Sequence, residues 1–187
     1  NTKTKKYYLR NFLYYILNVF SLKNHLTRKE KVNFSNVKVI DFNSSYNGSW
    51  QTLPAIIYEE IESMNIDVII KFGMSLLHLD EDKQLPPILS YHHGDPSKYR
   101  GRPAGFYEIL NGEKLTGIIV QVLSNKLDAG KIYAFAQSKV VNFSYKQTAI
   151  NFYSNSASLL EKALINLSNN VQINRRVDGK NYHLPSN

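Results

Sequence analysis

The sequence predicts an α/β domain built on a mostly parallel, twisted sheet. Three observations predict it. Short β-branched runs alternate with stretches of helical periodicity, the pattern of strands joined by helices. Glycine, proline and asparagine clusters punctuate the runs where chains turn. The 187 residues, 43% hydrophobic and 20% charged, have the size and composition of one globular domain.

The chain opens on a basic segment, with Lys3, Lys5, Lys6, Arg10, Lys23, Arg28, Lys29 and Lys31 in its first 31 residues. They flank residues 7–22, nearly all apolar or aromatic. With Arg10, Asn11 and Asn18 inside, this stretch is too short to span a bilayer. It reads as a buried or docking helix, with a helix lying peripherally on a membrane surface as the alternative. The net charge of +8 favours anionic partners such as nucleotides or phosphorylated small molecules. The aromatic-basic start is also the composition of a nucleic-acid patch, but its apolar density argues for packing first, so no nucleic-acid partner is expected.

From residue 37 the elements follow in order. Val37–Phe42 reads as a strand ending in a turn cluster, Asn43 to Ser49. Pro54 opens a helix whose buried face is Ile56, Ile57, Glu60, Ile61 and Met64, at spacings of three and four. Asp67–Phe72 is an apolar run interrupted once, a strand covered on both faces that Gly73 ends. Pro86-Pro87 breaks the chain before the short strand Ile88–His92. Ala104–Asn111 reads as a helix stopped by Asn111-Gly112. Gly117–Leu123 and Lys131–Val141 are strands, joined through Asp128-Ala129-Gly130. Residues 145–168 carry helical periodicity through Ala149, Phe152, Leu159, Leu160, Ala163, Leu164 and Leu167. This gives three parts: a basic, aromatic helical segment over 1–36, a catalytic domain over 37–170, and a polar, weakly patterned tail over 171–187.

The absence of cysteine excludes a disulfide framework, thiolate zinc sites and a cysteine nucleophile. It fits a reducing compartment, and the expected location is cytoplasmic. His78, His92, His93 and Asp95 could ligate a metal by type, but they lack helical His-x-x-x-His spacing, and no metal is expected.

Chemistry concentrates in Ser90-Tyr91-His92-His93-Gly94-Asp95-Pro96-Ser97-Lys98-Tyr99-Arg100-Gly101, followed by Leu127-Asp128-Ala129-Gly130. A histidine at the carboxyl end of a strand, where open α/β sheets bind ligands, suits a general acid or base. A carboxylate at another strand end could orient it. The residues alone leave open whether His92 and Asp128 meet.

The segment resembles the signature of formyltransferases that use 10-formyltetrahydrofolate. Their pattern runs Asn-x-His, a loop through Pro to Tyr/Trp-Arg-Gly, a helix, a strand begun by Thr-Gly, then Leu-Asp-Thr-Gly. Tyr99-Arg100-Gly101, Asn111-Gly112-Glu113, Thr116-Gly117 and Leu127-Asp128-Ala129-Gly130 match in order, over roughly 60–137. The His92-to-Asp128 spacing is that of the tRNA formyltransferases without a gap. The resemblance implies a Rossmann-like formyltransferase fold with an N-terminal strand–helix–strand unit. Residues 1–36 carry no such unit, so the N-terminal part is expected to be incomplete.

It also implies the roles. Formyl transfer passes through a tetrahedral oxyanion, which the histidine stabilises with help from the asparagine, while the aspartate holds the histidine. Carried over, His92 and Asp128 are catalytic, with Ser90 standing where the family has asparagine. Serine donates one hydrogen bond and reaches less far than a carboxamide. Ser90 is expected to act with a water, to be supplemented by a neighbour such as His93, or to weaken catalysis. The folate is expected against Phe72, Gly73, Met74 and Leu76 on one side and Leu123 and Leu127 on the other. His93, Arg100 and Arg102 are candidates for acceptor binding, although Arg100 also reads as a buried anchor for the loop. The histidine pair and the Arg-Gly-Arg-Pro loop resemble formyltransferase-like proteins of surface-polysaccharide synthesis. The expected acceptor is therefore the amine of a nucleotide-linked amino sugar. The alternatives are methionyl-tRNA, glycinamide ribonucleotide, water in a formyl-folate hydrolase, or a catalytically impaired folate- or sugar-binding module. Oligomeric state stays open, with a homodimer among the options.

Overall fold

The computed structural model describes residues 12–19, 35, 37–73 and 75–186, with backbone only for 15 and 17–19. Most of the basic segment and part of the 7–22 stretch therefore lie outside the described residues. Within the stretch, Phe12–Val19 forms helix α1. Its Tyr14 is buried and meets the Phe106 ring edge-on at 5.5 Å, while Phe12, Leu13 and Ile16 are exposed. Among the described residues no helix is long and apolar enough to cross a membrane.

The remaining elements are β1 (Ser45–Asn47), β2 (Trp50–Thr52), α2 (Ala55–Ser63), β3 (Ile69–Lys71), β4 (Leu76–His78), β5 (Ile88–His92), β6 (Tyr99–Gly101), α3 (Phe106–Leu110), β7 (Leu115–Val122), β8 (Lys131–Lys139), α4 (Tyr145–Ser156), α5 (Leu159–Ser168) and β9 (Lys180–Tyr182). The central sheet has the order β3-β5-β7-β8. β3 and β5 are parallel, whereas β5/β7 and β7/β8 are antiparallel. The α/β class stands as expected, and the strand pairing is mixed where a mostly parallel sheet was expected. The reason is connection length: the short link between β7 and β8 can only return the chain antiparallel, since a parallel return needs a crossover.

One face of this sheet packs α4 and α5. Leu89, Ile118, Val120, Tyr133 and Ala134 meet Ala149, Phe152, Leu159 and Ala163 in the larger core. The other face carries Ile88 against Leu53, Ile57, Tyr58 and Leu77, from α2 and the small sheet β1-β2-β4. Strand residues alternate between faces. On β5, Leu89 and Tyr91 therefore look toward α4 and α5, and Ile88, Ser90 and His92 toward α2.

Several expectations change. Val37–Phe42 forms no strand; Val37 and Val39 are exposed, and among the described residues no strand edge pairs with the run. A hairpin instead begins inside the turn cluster, with β1 in it and β2 directly after it. On α2 Ile57 is buried, but Ile56 lies on the exposed side. Residues 145–168 form two helices, because Tyr91 Oη–H donates to the Ser156 carbonyl at 3.0 Å where continuing the helix would need that acceptor. The tail is tied into the domain: β9 pairs in parallel with β6, and Tyr182 stacks on Tyr99 at 5.4 Å.

Candidate active site

The site is assembled on the α2-facing side of the sheet, where β3 and β5 end. Ser90 sits in register with Lys71 on β3 and with Gln121 on β7, giving three polar side chains in one row across the sheet. Such a row has to be hydrogen-bonded or functional, because polar groups buried without partners are costly. Gln121 is buried, and its Oε1 accepts the Gly130 amide at 2.9 Å, which anchors the turn that carries Asp128. Gly130 fits only as glycine: a Cβ there would lie 1.9 Å from the Val122 carbonyl oxygen.

One step further along β5, His92 is buried with both ring nitrogens engaged. Nδ1 is 3.3 Å from Asp128 Oδ2, and Nε2 is 3.1 Å from the Tyr99 carbonyl. Both neighbours are hydrogen-bond acceptors. The same Asp128 oxygen accepts the Gly101 amide at 2.7 Å. Asp128 holds a left-handed backbone, φ +46°, a conformation that short polar residues tolerate best. The 123–128 loop is fixed to the end of β4, where Asn125 accepts from the Leu79 amide at 2.7 Å and donates to the Leu79 carbonyl at 2.9 Å.

Lys71 is half-buried at the end of β3. Burial lowers its ammonium below the usual lysine range, against the opposing pull of the Asp128 carboxylate. Across the site, Glu108 is buried and accepts from the Thr116 hydroxyl at 2.8 Å. Burial raises its carboxyl above the usual range, partly offset by that bond.

The sequence-expected residues divide. His92, Asp128 and Ser90 share one corner of the sheet. Phe72 is adjacent and 63% exposed, with one ring face stacked on Tyr91 at 6.2 Å. Gly73 takes φ +64° beside open space, Leu76 lies on β4, and Leu123 and Leu127 are half-buried in the loop. Met74 lies outside the described residues. His93 does not join His92. It sits beneath the loop between Tyr91, Phe152 and Tyr153, with Nε2 buried and without a hydrogen-bond partner among the described residues. Burial, reinforced by the neighbouring His92, lowers it to about 4, so it is neutral. Arg100 serves as an anchor: its Nε donates to the Gly179 carbonyl at 2.6 Å. Arg102 is exposed, and its amide donates to the Tyr182 carbonyl at 3.1 Å.

Sequence reading missed Lys71, Gln121, Asn125, Glu108 and the tail. For two of them a signal existed. Lys71 is the interruption in the apolar run 67–72, and Gln121 the single polar residue in Gly117–Leu123. The tail gave none, because Arg175, Gly179 and Tyr182 act through partners far away in sequence. Arg175 grips Asp95 with both Nε, at 3.0 Å from Oδ1, and Nη2, and lies 3.8 Å over the Phe135 ring. Among the described residues no group of three or more metal-ligating side chains could hold an ion.

No family model matches the chain. It is 26% identical over 106 residues to the methionyl-tRNA formyltransferase of a Nitratiruptor species, covering 57% of this chain and 34% of that protein. The chain spans about a third of the length of the curated relatives it matches. Among solved structures, phosphoribosylglycinamide formyltransferase from Campylobacter jejuni aligns with a TM-score of 0.53 at 18% identity, over 60% of each chain. WlaRD, a sugar 3N-formyltransferase solved in the presence of dTDP and 5-N-formyl-THF, aligns with a TM-score of 0.50 at 16% identity, over 62% of this chain and 43% of that one. The resemblance to folate-dependent formyltransferases is thus borne out, and the fold is theirs.

Proposed function

We propose, from a chain that resembles the folate-dependent formyltransferases in motif order and fold, that it transfers a formyl group from 10-formyltetrahydrofolate to an amine. The observation that carries this reading is the His92–Asp128 pair at the strand ends, 3.3 Å apart and locked by the Gly101 amide. The acceptor we infer is the amine of a nucleotide-linked amino sugar of surface-polysaccharide synthesis. The histidine-pair loop, the sugar 3N-formyltransferase among the structural neighbours and the cationic charge of the chain support it.

The residues fit a formyl-folate. The space beside Gly73 is open, and the half-buried Leu123 and Leu127 supply apolar contact, while Phe72 stands exposed with its ring against Tyr91. The folate contributes a formyl group activated by its bond to nitrogen. Everything else falls to the chain. His92 presents an N–H to the formyl oxygen as negative charge grows there, in exchange for the Tyr99 carbonyl that holds its Nε2 at rest. Asp128 keeps the ring aimed through Nδ1 and stands ready to take up the proton that the amine sheds. A donor fixed in this way lowers the barrier by on the order of 3 kcal/mol.

Methionyl-tRNA is the second reading, favoured by the curated relatives. Calorimetry with 5-formyltetrahydrofolate, a stable formyl-folate, is the test, with His92→Ala and Asp128→Ala beside the native chain. Binding in all three, followed by formylation of a dTDP-linked amino sugar by the native chain alone, is the expected result. A folded native chain that binds no folate overturns the reading. Folate binding with formylation of methionyl-tRNA only replaces the acceptor.

A further inference from the structure

Ser90 leaves the site short of donors. A carboxamide two residues before the histidine would offer two N–H groups, where serine offers a single hydroxyl on a shorter arm. Something else has to meet the charge on the formyl oxygen, or the site is weak.

The sheet register supplies a candidate. Lys71 and Ser90 are paired positions on adjacent parallel strands, so their side chains leave the same face of the sheet side by side. The preceding pair on that face, Ile69 and Ile88, packs into the core with α2, which fixes the facing direction of the pair above it. His92 is the next residue on this face of β5. Lys71 is therefore on the same rung as the incomplete donor and one rung below the histidine. It is also close enough to Asp128 for the carboxylate to act on its ammonium, while half-buried and losing water contact as it does so. A lysine in an apolar strand is costly, and a flexible four-carbon stem that brings a cation to a reacting centre is a use that offsets the cost.

We propose that Lys71 is a further catalytic residue, whose ammonium donates to the formyl oxygen beside the Ser90 hydroxyl and so replaces the absent carboxamide. The inference rests on the formyl-transfer reading above. In that reaction the acceptor nitrogen bonds to the formyl carbon, the bond from that carbon to the folate nitrogen breaks, and the electron pair returns to that nitrogen. The proton shed by the amine leaves through the His92–Asp128 pair and ends on the departing nitrogen. Lys71 transfers no proton; it holds charge on the oxygen while both carbon–nitrogen bonds are partly formed.

The test measures tetrahydrofolate release from 10-formyltetrahydrofolate by the full chain, with a dTDP-linked amino sugar and, separately, with hydroxylamine as formyl acceptor. Lys71→Met is expected to lower kcat by about 10²–10³, the loss typical of one oxyanion donor, with KM for the folate within threefold. Lys71→Arg keeps a cationic donor and is expected to retain most of kcat. Adding Ser90→Asn to Lys71→Met is expected to recover at least tenfold, because it restores the carboxamide. Melting curves and 5-formyltetrahydrofolate binding separate folding defects from these effects. Unchanged kcat in Lys71→Met, or a loss confined to KM, overturns the proposal and leaves the formyltransferase reading intact. A native chain that releases tetrahydrofolate with neither acceptor overturns that reading, and the proposal with it.

Discussion

Asp128 Oδ2 accepts the Gly101 amide at 2.7 Å and lies 3.3 Å from His92 Nδ1, so one carboxylate oxygen ties its turn to both ends of the loop between His92 and Gly101. The contact makes Asp128 a turn residue that also meets His92, and a substitution can separate the turn from the orienting role proposed for it. Asp128→Asn suits the separation, because asparagine tolerates the left-handed backbone at φ +46° and still offers an oxygen to Gly101. It removes only the charge. The expected outcome is a melting temperature near that of the native chain and a drop in turnover of about 10²–10⁴, read as tetrahydrofolate release. Asp128→Ala loses the turn as well, and is expected to melt earlier than Asp128→Asn. Equal turnover in native and Asp128→Asn chains would deny Asp128 an electrostatic role.

The loop that crosses His92 is held by close backbone approach. Gly101 has φ +89°, and a Cβ there would stand 2.2 Å from the Tyr182 carbonyl oxygen. A methyl group at that position must push β9 away from β6. Gly101→Ala is expected to cost about 2 kcal/mol or more, combining backbone strain with a broken contact. For a chain of this length that corresponds to a fall in melting temperature of roughly 4–8 °C. Differential scanning calorimetry measures it. A fall under a degree would mean that β9 yields without cost.

How far the sequence was legible follows from the range of the interactions. β5, β7 and β8 could be placed because each is a local run of β-branched and apolar residues bounded by a turn. His92 and Asp128 could be named because their motif spacing is linear in sequence. What escaped depends on distance in the chain. β9 is Lys180-Asn181-Tyr182, with no strand pattern of its own, and it is a strand only because β6 lies alongside. Val37–Phe42 has the local pattern, but among the described residues no edge pairs with it. His93 carries the same side chain as its neighbour. Only the alternation of faces after β5 brings Phe152 and Tyr153 to 4.9 and 5.0 Å from its ring.

Arg175 and Asp95 pin the tail to the loop after β5. Burial pushes the Asp95 carboxyl up, but hydrogen bonds from Arg175 and Ser97 outweigh it and hold the group below its usual range. A carboxyl lowered in the folded state stabilises above its unfolded pKa of 3.8, and that contribution is lost as pH falls below it. Arg175→Gln is expected to cost about 1–3 kcal/mol at pH 7, a range reduced from that of a fully buried pair because Arg175 keeps 28% of its side-chain surface exposed. Hydrogen exchange supplies the local readout. The Arg102 and Lys180 amides, which join the tail to the loop, are expected to lose protection before the β7 and β8 ladder does. Uniform loss across both would mean that the tail is not a separate cooperative unit.

His93 gives the clearest pH signature. Its folded value is lowered from 6.5 to about 4 because burial against Phe152 and Tyr153 disfavours the charged ring, with His92 adding to the effect. The unfolded chain takes up this proton near pH 6.5, whereas the folded chain resists until about pH 4. Between those values the unfolded state binds more protons, so stability falls as pH falls. Above pH 6.5 both states are neutral here and the residue contributes no slope. The accumulated loss by pH 4 is about 2–3 kcal/mol, from 1.36 kcal/mol for each unit of displacement. His93→Phe keeps a ring in the aromatic cluster and removes both the titration and the unpartnered Nε2. Urea denaturation of the two chains at pH 7, 6, 5 and 4 is expected to show curves that diverge below pH 6.5, with the phenylalanine chain more stable at the acid end. Carboxylates titrate equally in both chains and cancel from the difference. Parallel curves would place His93 in contact with water and remove it from the core beneath the loop.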